Sequence, residues 1–228
     1  MKSTHLLVAA TAALLWGCST VRNVPIETTP PGATVLVDGS EIGTSPLTHG
    51  FDLPNETKTY RVSARFEGYL ESFVNLNLIY LEARGESGLK LKLDPDEAYR
   101  GTTPSELANA WVEIPANPLL EEADAWNRLV HTVTTGFDYK LGSGTEQKSG
   151  YLLTEPRAEG FRQGPDTAKV TNVLVASRLS SSPVVFKVKV ESKIEIRSKT
   201  DLYPRILVHK ADPQKQLLEA LRAALTAE

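Results

Sequence analysis

The stretch VVFKVKVESKIEIR, residues 184–197, alternates apolar and polar side chains along most of its length. Successive side chains of a β-strand point to opposite faces of the sheet. One face therefore carries Val184, Phe186, Val188, Val190, Ile194 and Ile196, and the other carries Lys187, Lys189, Glu191, Lys193, Glu195 and Arg197. The pattern predicts a long strand with one face on a hydrophobic core and the other in water.

Two amphipathic helices are predicted on either side of this strand. The first starts at Asn117-Pro118, with an apolar stripe of Trp126, Leu129, Val130 and Val133. Trp126 is interpreted as a core anchor and His131, off the stripe, as a surface residue. The second helix is capped by Asp212, opened by Pro213, and carries Leu217, Leu218, Leu221 and Leu225 on one side. Both stripes need a sheet face to cover them.

Three further strands are predicted between the helices, at residues 137–141, 150–154 and 169–175, with a loop around Gly160, Gly164 and Pro165. Helix, antiparallel strands and helix in this order predict a two-layer α+β domain over residues 118–228. Trp126 and residues 150–154 carry a resemblance to the helix-grip modules of envelope lipoproteins. That resemblance implies a groove between helix and sheet that handles protein or small apolar partners.

Residues 95–117 have turn chemistry, with three prolines and the run Gly101-Thr102-Thr103. They are predicted to be a linker, with a short helix over 105–112. Upstream, strands are predicted at 34–37, 60–66, 73–78 and 89–93, and the first is followed by the turn pair Asp38-Gly39. The chain before the linker is thus predicted to be mainly β.

Several turn motifs of this region occur in the order seen in a known family. They are TPPGATV at 29–35, Asp38-Gly39, IGTSPL at 42–47 and FEGY at 66–69. Together they resemble the PEGA domain, a small β-sandwich of extracytoplasmic proteins, and the likeness covers about Val24 to Leu93. The resemblance implies a β-sandwich over residues 24–94, with an insertion at 79–88. It carries no binding residues over; Asp38 is interpreted as a turn residue rather than a ligand contact, and Tyr69 as packing or as an exposed platform for glycan.

The amino terminus reads as a secretory signal over residues 1–17, with Lys2 followed by an apolar run from Leu6 to Leu15. That run is too short to cross a bilayer, which needs roughly 20 apolar residues. Leu15-Trp16-Gly17-Cys18 resembles the bacterial lipobox, although Trp16 replaces the usual small residue. The resemblance implies recognition of Leu15 and Gly17 by the signal peptidase, and lipidation of Cys18, the only cysteine.

Residues 18–23 would then be a lipidated tether, since several acyl chains anchor a protein stably. In lipoproteins an Asp after the lipidated cysteine retains the protein at the inner membrane. The resemblance therefore implies that Ser19 allows delivery to the outer membrane in a cell with two membranes. Two alternatives stay open: a plain cleaved signal with an incidental Cys18, and an uncleaved signal anchor.

The rest of the composition excludes several functions. The 228 residues carry 25 Lys+Arg against 28 Asp+Glu, a net charge of −3, which argues against a nucleic-acid partner. The four histidines lack metal-ligand spacing, no nucleophile motif is present, and Gly142-Ser143-Gly144 lacks the rest of a phosphate loop. Glu121, Glu122 and Asp124 are explained by the dipole of the first helix. We therefore expect no enzyme, no cofactor and no metal site.

The sequence thus predicts a lipid-anchored envelope lipoprotein, mainly β plus α+β, that binds envelope proteins or cell-wall glycan without catalysis. A carrier of a small apolar or lipid ligand in the helix–sheet groove is the alternative, unless Trp126 and Leu221 fill that groove. A hydrolase would need His131 or His209 beside a serine or carboxylate in a cleft.

Overall fold

The computed structural model describes residues 21–84, 88–208 and 217–227. Two compact units are present. The N-terminal unit comprises the described residues up to 65 and 71–93, and the C-terminal unit comprises 66–70 and 94 onward. Both are rich in strands, and together they confirm the predicted β-rich α+β class.

The N-terminal unit contains two sheets. Its elements are β1 (Val21–Thr29), β2 (Thr34–Val37), β3 (Ser40–Thr44), β4 (Leu47–Asp52), β5 (Tyr60–Arg65), β6 (Ser72–Leu76), α1 (Leu78–Arg84) and β7 (Leu89–Lys92). One sheet has the order β4-β1-β7, and the other is antiparallel with the order β3-β2-β5-β6. Buried residues come from both sheets, including Val24 and Ile26 of β1 and Val62 and Ala64 of β5.

Three details of this unit differ from the sequence prediction. Residues 21–23, predicted to belong to the tether, are part of β1, because each pairs with a residue of β4. The strands β1, β3 and β4 were not predicted. The expected insertion at 79–88 contains most of helix α1. The turn at Asp38-Gly39 is confirmed, with both residues at positive φ.

The C-terminal unit is built on a six-stranded antiparallel sheet. Its elements are α2 (Glu97–Arg100), β8 (Thr102–Pro104), β9 (Val112–Pro115), α3 (Glu122–His131), β10 (Tyr151–Leu153), β11 (Arg157–Gln163), β12 (Asp166–Ser181), β13 (Val184–Ile196), β14 (Lys199–Leu202), β15 (Arg205–Leu207) and α4 (Leu217–Thr226). The long strands β12 and β13 pair with each other; β10 and β11 flank β12, and β9 and β14 flank β13.

The predicted two-layer packing is confirmed in this unit. Val184, Phe186, Val188 and Val190 of β13 share one hydrophobic cluster with the buried faces of α3 and α4. The rings of Trp126 and Phe186 lie 6.3 Å apart, and Trp126 is 6% exposed. Alternate residues of β13 therefore cover one side of the core, as their period of two requires.

The segment 95–117 was expected to be a linker, whereas it contributes α2, β8 and β9 to the C-terminal unit. No helix forms over 105–112. Instead Val190 donates its amide to Leu107 O at 2.8 Å, and Asn109 donates to Val190 O at 2.8 Å. These hydrogen bonds hold the proline-rich segment along the edge of β13. Leu107 and Ile114 of this segment are buried in the core.

Three other predicted elements of this unit also differ from the structure. The strand predicted at 137–141 is absent apart from a bridge between Leu141 and Thr154, because α3 continues as a π-helical turn over Thr132–Gly136. The predicted loop around Gly160 is strand β11, which pairs with the first half of β12. Helix α3 begins at Glu122, while Asn117 Oδ1 accepts a hydrogen bond from Leu119 N at 2.9 Å in a separate turn. Asp212 and Pro213 lie outside the described residues.

Candidate ligand-binding face

The predicted lipidation residues Leu15, Gly17 and Cys18 lie outside the described residues, as do the predicted signal and the first part of the tether. His209 lies outside them too. A candidate site can therefore be built only from side chains of the two folded units.

The solvent face of the C-terminal sheet carries an open depression of about 370 Å³. Strand register places two rows of side chains across it. Tyr151, Ser177 and Lys187 form one row, and Leu153, Val175 and Lys189 form the next. Trp111 and Glu191 complete the lining. We call this depression the trough.

Trp111 lies just before β9 and is 45% exposed. Lys187 Nζ is 5.1 Å and Lys189 Nζ is 4.7 Å from the centroid of its ring. The two lysines are alternate residues of β13, so their side chains leave the sheet on the same side. An aromatic ring attracts a cation at this distance, and each such contact stabilises an exposed site by roughly 0.5–1 kcal/mol.

Tyr151 provides the second exposed aromatic ring, and it is 38% exposed. Gly150 precedes it at a φ of +66°, and a Cβ there would lie 2.5 Å from Cβ of Arg178. Glycine is therefore required where the chain enters β10. Reciprocal backbone hydrogen bonds of 2.7 and 3.1 Å between Glu146 and Tyr151 hold the aromatic residue in place.

The charged groups at the trough are of both signs. Lys189 Nζ pairs with Glu191 Oε1 at 2.6 Å. Glu113 lies directly opposite Lys187 in the register of β9 and β13, on the same face of the sheet, although no carboxylate of the described residues comes within ion-pair distance of Lys187 Nζ. Two lysines, one carboxylate and two aromatic rings thus line a single concave surface.

The described histidines form no catalytic arrangement. His131 Nδ1 lies 3.3 Å from Thr135 Oγ1 on the exposed side of the same helical segment, and the ring of His49 packs edge-on against Phe51 at 4.8 Å. Within residues 21–84, 88–208 and 217–227, no group of three or more His, Cys, Asp or Glu side chains is placed to hold a metal ion.

Two residues with open interpretations have structural roles. Asp38 Oδ1 accepts a hydrogen bond from Arg61 N at 2.8 Å, which supports its role as a turn residue. The ring of Tyr69 packs against Phe66 at 5.6 Å and lies 5.7 Å from the Arg100 guanidinium, so it is a packing residue. Gly68 O also accepts from Asp96 N at 2.9 Å, within the C-terminal unit.

Residues 21–85 match the family model of the PEGA domain. The match confirms the PEGA-like part of the sequence analysis and covers β1 to α1. The strand β7 lies beyond the matched residues and belongs to the same sheet, because it pairs in parallel with β1. No curated protein gives a significant match to the chain. None of the helices in the described residues is both long and apolar enough to span a bilayer.

The trough lies outside the PEGA match, and sequence reasoning did not identify it. The alternation of residues 184–197 placed Lys187 and Lys189 on the solvent face, but Trp111 was assigned to a linker. The signal that would have indicated the trough is an exposed tryptophan beside a strand whose solvent face is rich in lysine.

Proposed function

We propose that this chain is a lipid-anchored envelope lipoprotein that binds other envelope components without catalysis. Lipidation of Cys18, cleavage before it and delivery to the outer membrane are supported by the sequence Leu15-Trp16-Gly17-Cys18-Ser19. The PEGA match supports an extracytoplasmic role for the N-terminal unit.

The trough is the observation that supports a binding role most directly. Concave surfaces with aromatic side chains and a few convergent polar groups are where ligands usually bind. Trp111 and Tyr151 are both more than a third exposed although they flank the middle of a sheet. We propose that the partner is an envelope protein or cell-wall glycan, and that it contacts this face.

The carrier alternative has less support. It needs an open groove between helix and sheet, and Trp126 and Leu221 are 6% and 0% exposed inside the cluster that joins α3 and α4 to the sheet. These side chains occupy the space that an apolar ligand would need.

Metabolic labelling with a radioactive fatty acid tests the anchor. We expect label and membrane retention in the wild-type protein, and loss of both in Cys18→Ala, because the thiol is the acceptor for lipid. Thr20→Ala is the matched control, since it changes a neighbouring residue outside the lipobox, and it should keep both. A mature protein with a free thiol at residue 18 in mass spectrometry would contradict the anchor.

Photo-crosslinking from residue 177, in the middle of the trough, tests the binding role in intact envelopes. We expect a crosslinked protein or glycan from this position, and none from residue 193, which is on the same sheet face beyond Glu191. Recovery of no adduct from residue 177 would count against binding at this face.

A further inference from the structure

The tether between the proposed lipid and the N-terminal unit is short. Strand β1 begins at Val21, three residues after Cys18, and Val21 is already paired with Asp52 of β4. Three residues of extended chain span at most about 10 Å. A lipid at Cys18 therefore holds the start of β1 within about 10 Å of the bilayer surface.

An open groove of about 580 Å³ lies at this end of β1, beside helix α1. Its walls come from the start of β1 and from one side of α1, namely residues 21–25, Leu78, Leu81 and Glu82. Gly88, which follows α1 in the chain, lies against β1 at a φ of +73°, and a Cβ there would be 2.6 Å from Pro25 O. Helix α1 is thus placed next to the end of the strand that the tether holds.

The first turn of α1 is apolar all round, yet no side chain of this helix is buried. Leu78, Ile79, Tyr80 and Leu81 are consecutive, and four residues complete slightly more than one turn. A helix with apolar side chains on every side is normally enclosed by protein or lipid. Ile79 is instead 53% exposed, and Val21 is 50% exposed. We call the side chains of residues 78–81, together with Val21, the α1 face.

The charged groups around the α1 face are of both signs. Arg22 and Glu82 both line the groove, and Asp52 lies opposite the first residue of β1. The guanidinium of Arg84 lies 4.9 Å from the ring of Tyr80. Burial of apolar area, rather than net charge, must therefore favour any contact made here. Tyrosine with apolar neighbours is typical of the boundary between lipid headgroups and hydrocarbon.

We propose that the α1 face lies on the lipid bilayer into which the acyl chains of Cys18 insert, with Ile79 and Tyr80 among the headgroups. This inference rests on the lipid anchor proposed above and adds a second contact, between the folded N-terminal unit and lipid. A folded protein fits this face less well, because a tether of about 10 Å leaves no room for one between the face and the bilayer.

Fluorescence quenching in vesicles tests the contact. Cys18 is the only cysteine and its thiol would be acylated, so Ile79→Cys and Lys92→Cys each provide one site for an NBD dye. Lys92 is the matched control, because it is exposed and pairs with Thr29, about 26 Å along β1 from Val21. The lipidated proteins are reconstituted in phosphatidylcholine vesicles with doxyl-labelled lipid. We expect the doxyl groups to quench most of the fluorescence at residue 79 and little at residue 92.

Charged substitutions test whether apolar surface makes the contact. Leu78→Glu with Leu81→Glu, added to Ile79→Cys, should abolish the quenching and leave fatty-acid labelling unchanged. Leu78→Ile with Leu81→Ile keeps the apolar surface and should keep the quenching. Neither leucine is buried, so both pairs should fold, and the melting temperature of each variant checks this.

Several results would overturn the proposal while the anchor stands. If the protein stays on the vesicles but the probe at residue 79 is unquenched, the α1 face does not contact lipid. A blue shift without quenching would place the protein's own acyl chain in the groove, and a protein adduct from residue 79 in envelopes would assign the face to a partner. Equal quenching at residues 79 and 92 would reject the proposed orientation. Loss of both fatty-acid label and vesicle retention in the wild-type protein would instead reject the anchor itself.

Discussion

Asn172 and Ser192 are fully buried on the face of β12 and β13 that is otherwise apolar. Asn172 Nδ2 donates to Ser192 Oγ at 2.8 Å, and Asn172 Oδ1 accepts from Leu207 N at 2.6 Å. Ser192 Oγ donates in turn to Arg205 O at 2.6 Å. Buried polar groups need such partners, since an unmade hydrogen bond costs roughly 1–3 kcal/mol. The two side chains thus fix β15 against the long strands.

Tyr139 gives a prediction about pH at the scale of one residue. Its side chain is 5% exposed, and burial raises the pKa of its hydroxyl to about 12, against a smaller opposing effect of Arg157. The folded protein therefore favours the neutral phenol. Its contribution to stability is complete below about pH 10 and is lost as the pH rises through about 12, a loss of roughly 2–3 kcal/mol.

Urea unfolding at about pH 9 and at about pH 11.5, on either side of the ordinary tyrosine pKa, measures this loss. Tyr139→Phe should show a smaller fall in the free energy of unfolding between the two pH values than the wild type does. Comparison of the two proteins separates the effect of Tyr139 from that of Tyr99, whose pKa is also raised by its hydrogen bond to Glu67. The same pH dependence in both proteins would contradict the assignment.

At the scale of elements, α4 shows how a helix depends on the sheet that covers it. Leu217, Leu218, Leu221 and Leu225 are all buried, in the cluster that contains β13 and α3. Arg128 Nη1 of α3 also donates to Ala224 O at 3.2 Å. A short isolated helix is marginal in water, so this packing supplies most of its stability.

Leu221→Ala tests the packing of α4. Leu221 is 0% exposed, so we expect the free energy of unfolding in urea to fall by about 2–5 kcal/mol. Leu119→Ala is the matched control, because Leu119 is 88% exposed and its truncation should change stability by less than about 0.5 kcal/mol. Equal effects of the two substitutions would contradict the role of Leu221.

Elements whose apolar residues recur at a regular spacing were predicted well. Segments whose conformation depends on pairing with another strand were not. The alternation of 184–197 and the leucine stripe of α4 follow from residue spacing alone. Strand β11 contains Gly160 and is followed by Gly164, yet it forms because the first half of β12 offers a long edge for pairing. The segment 105–112 likewise takes its conformation from the edge of β13, which lies far along the chain.

At the scale of the whole molecule, membrane attachment and ligand binding are proposed to reside in separate parts of the chain. Cys18→Ala should move the protein from the membrane to the soluble fraction and leave the crosslinked adduct from residue 177 unchanged. Trp111→Ala should stay in the membrane fraction and give less adduct. Fractionation and photo-crosslinking of the two variants measure both properties. Loss of the adduct in folded Cys18→Ala would contradict the separation.

The β-rich α+β class, the PEGA region and the two helices that pack on the long strand could be predicted from the amino-acid sequence, because these depend on local spacing and turn residues. It also supplied the basis for the proposed anchor at Cys18. The trough could not be predicted in this way, since Trp111 and Tyr151 lie on distant segments of the chain and reach the same surface through strand register. The period of two in each strand decides which side chains face the core, but which strands become neighbours depends on pairing between segments far apart in the chain.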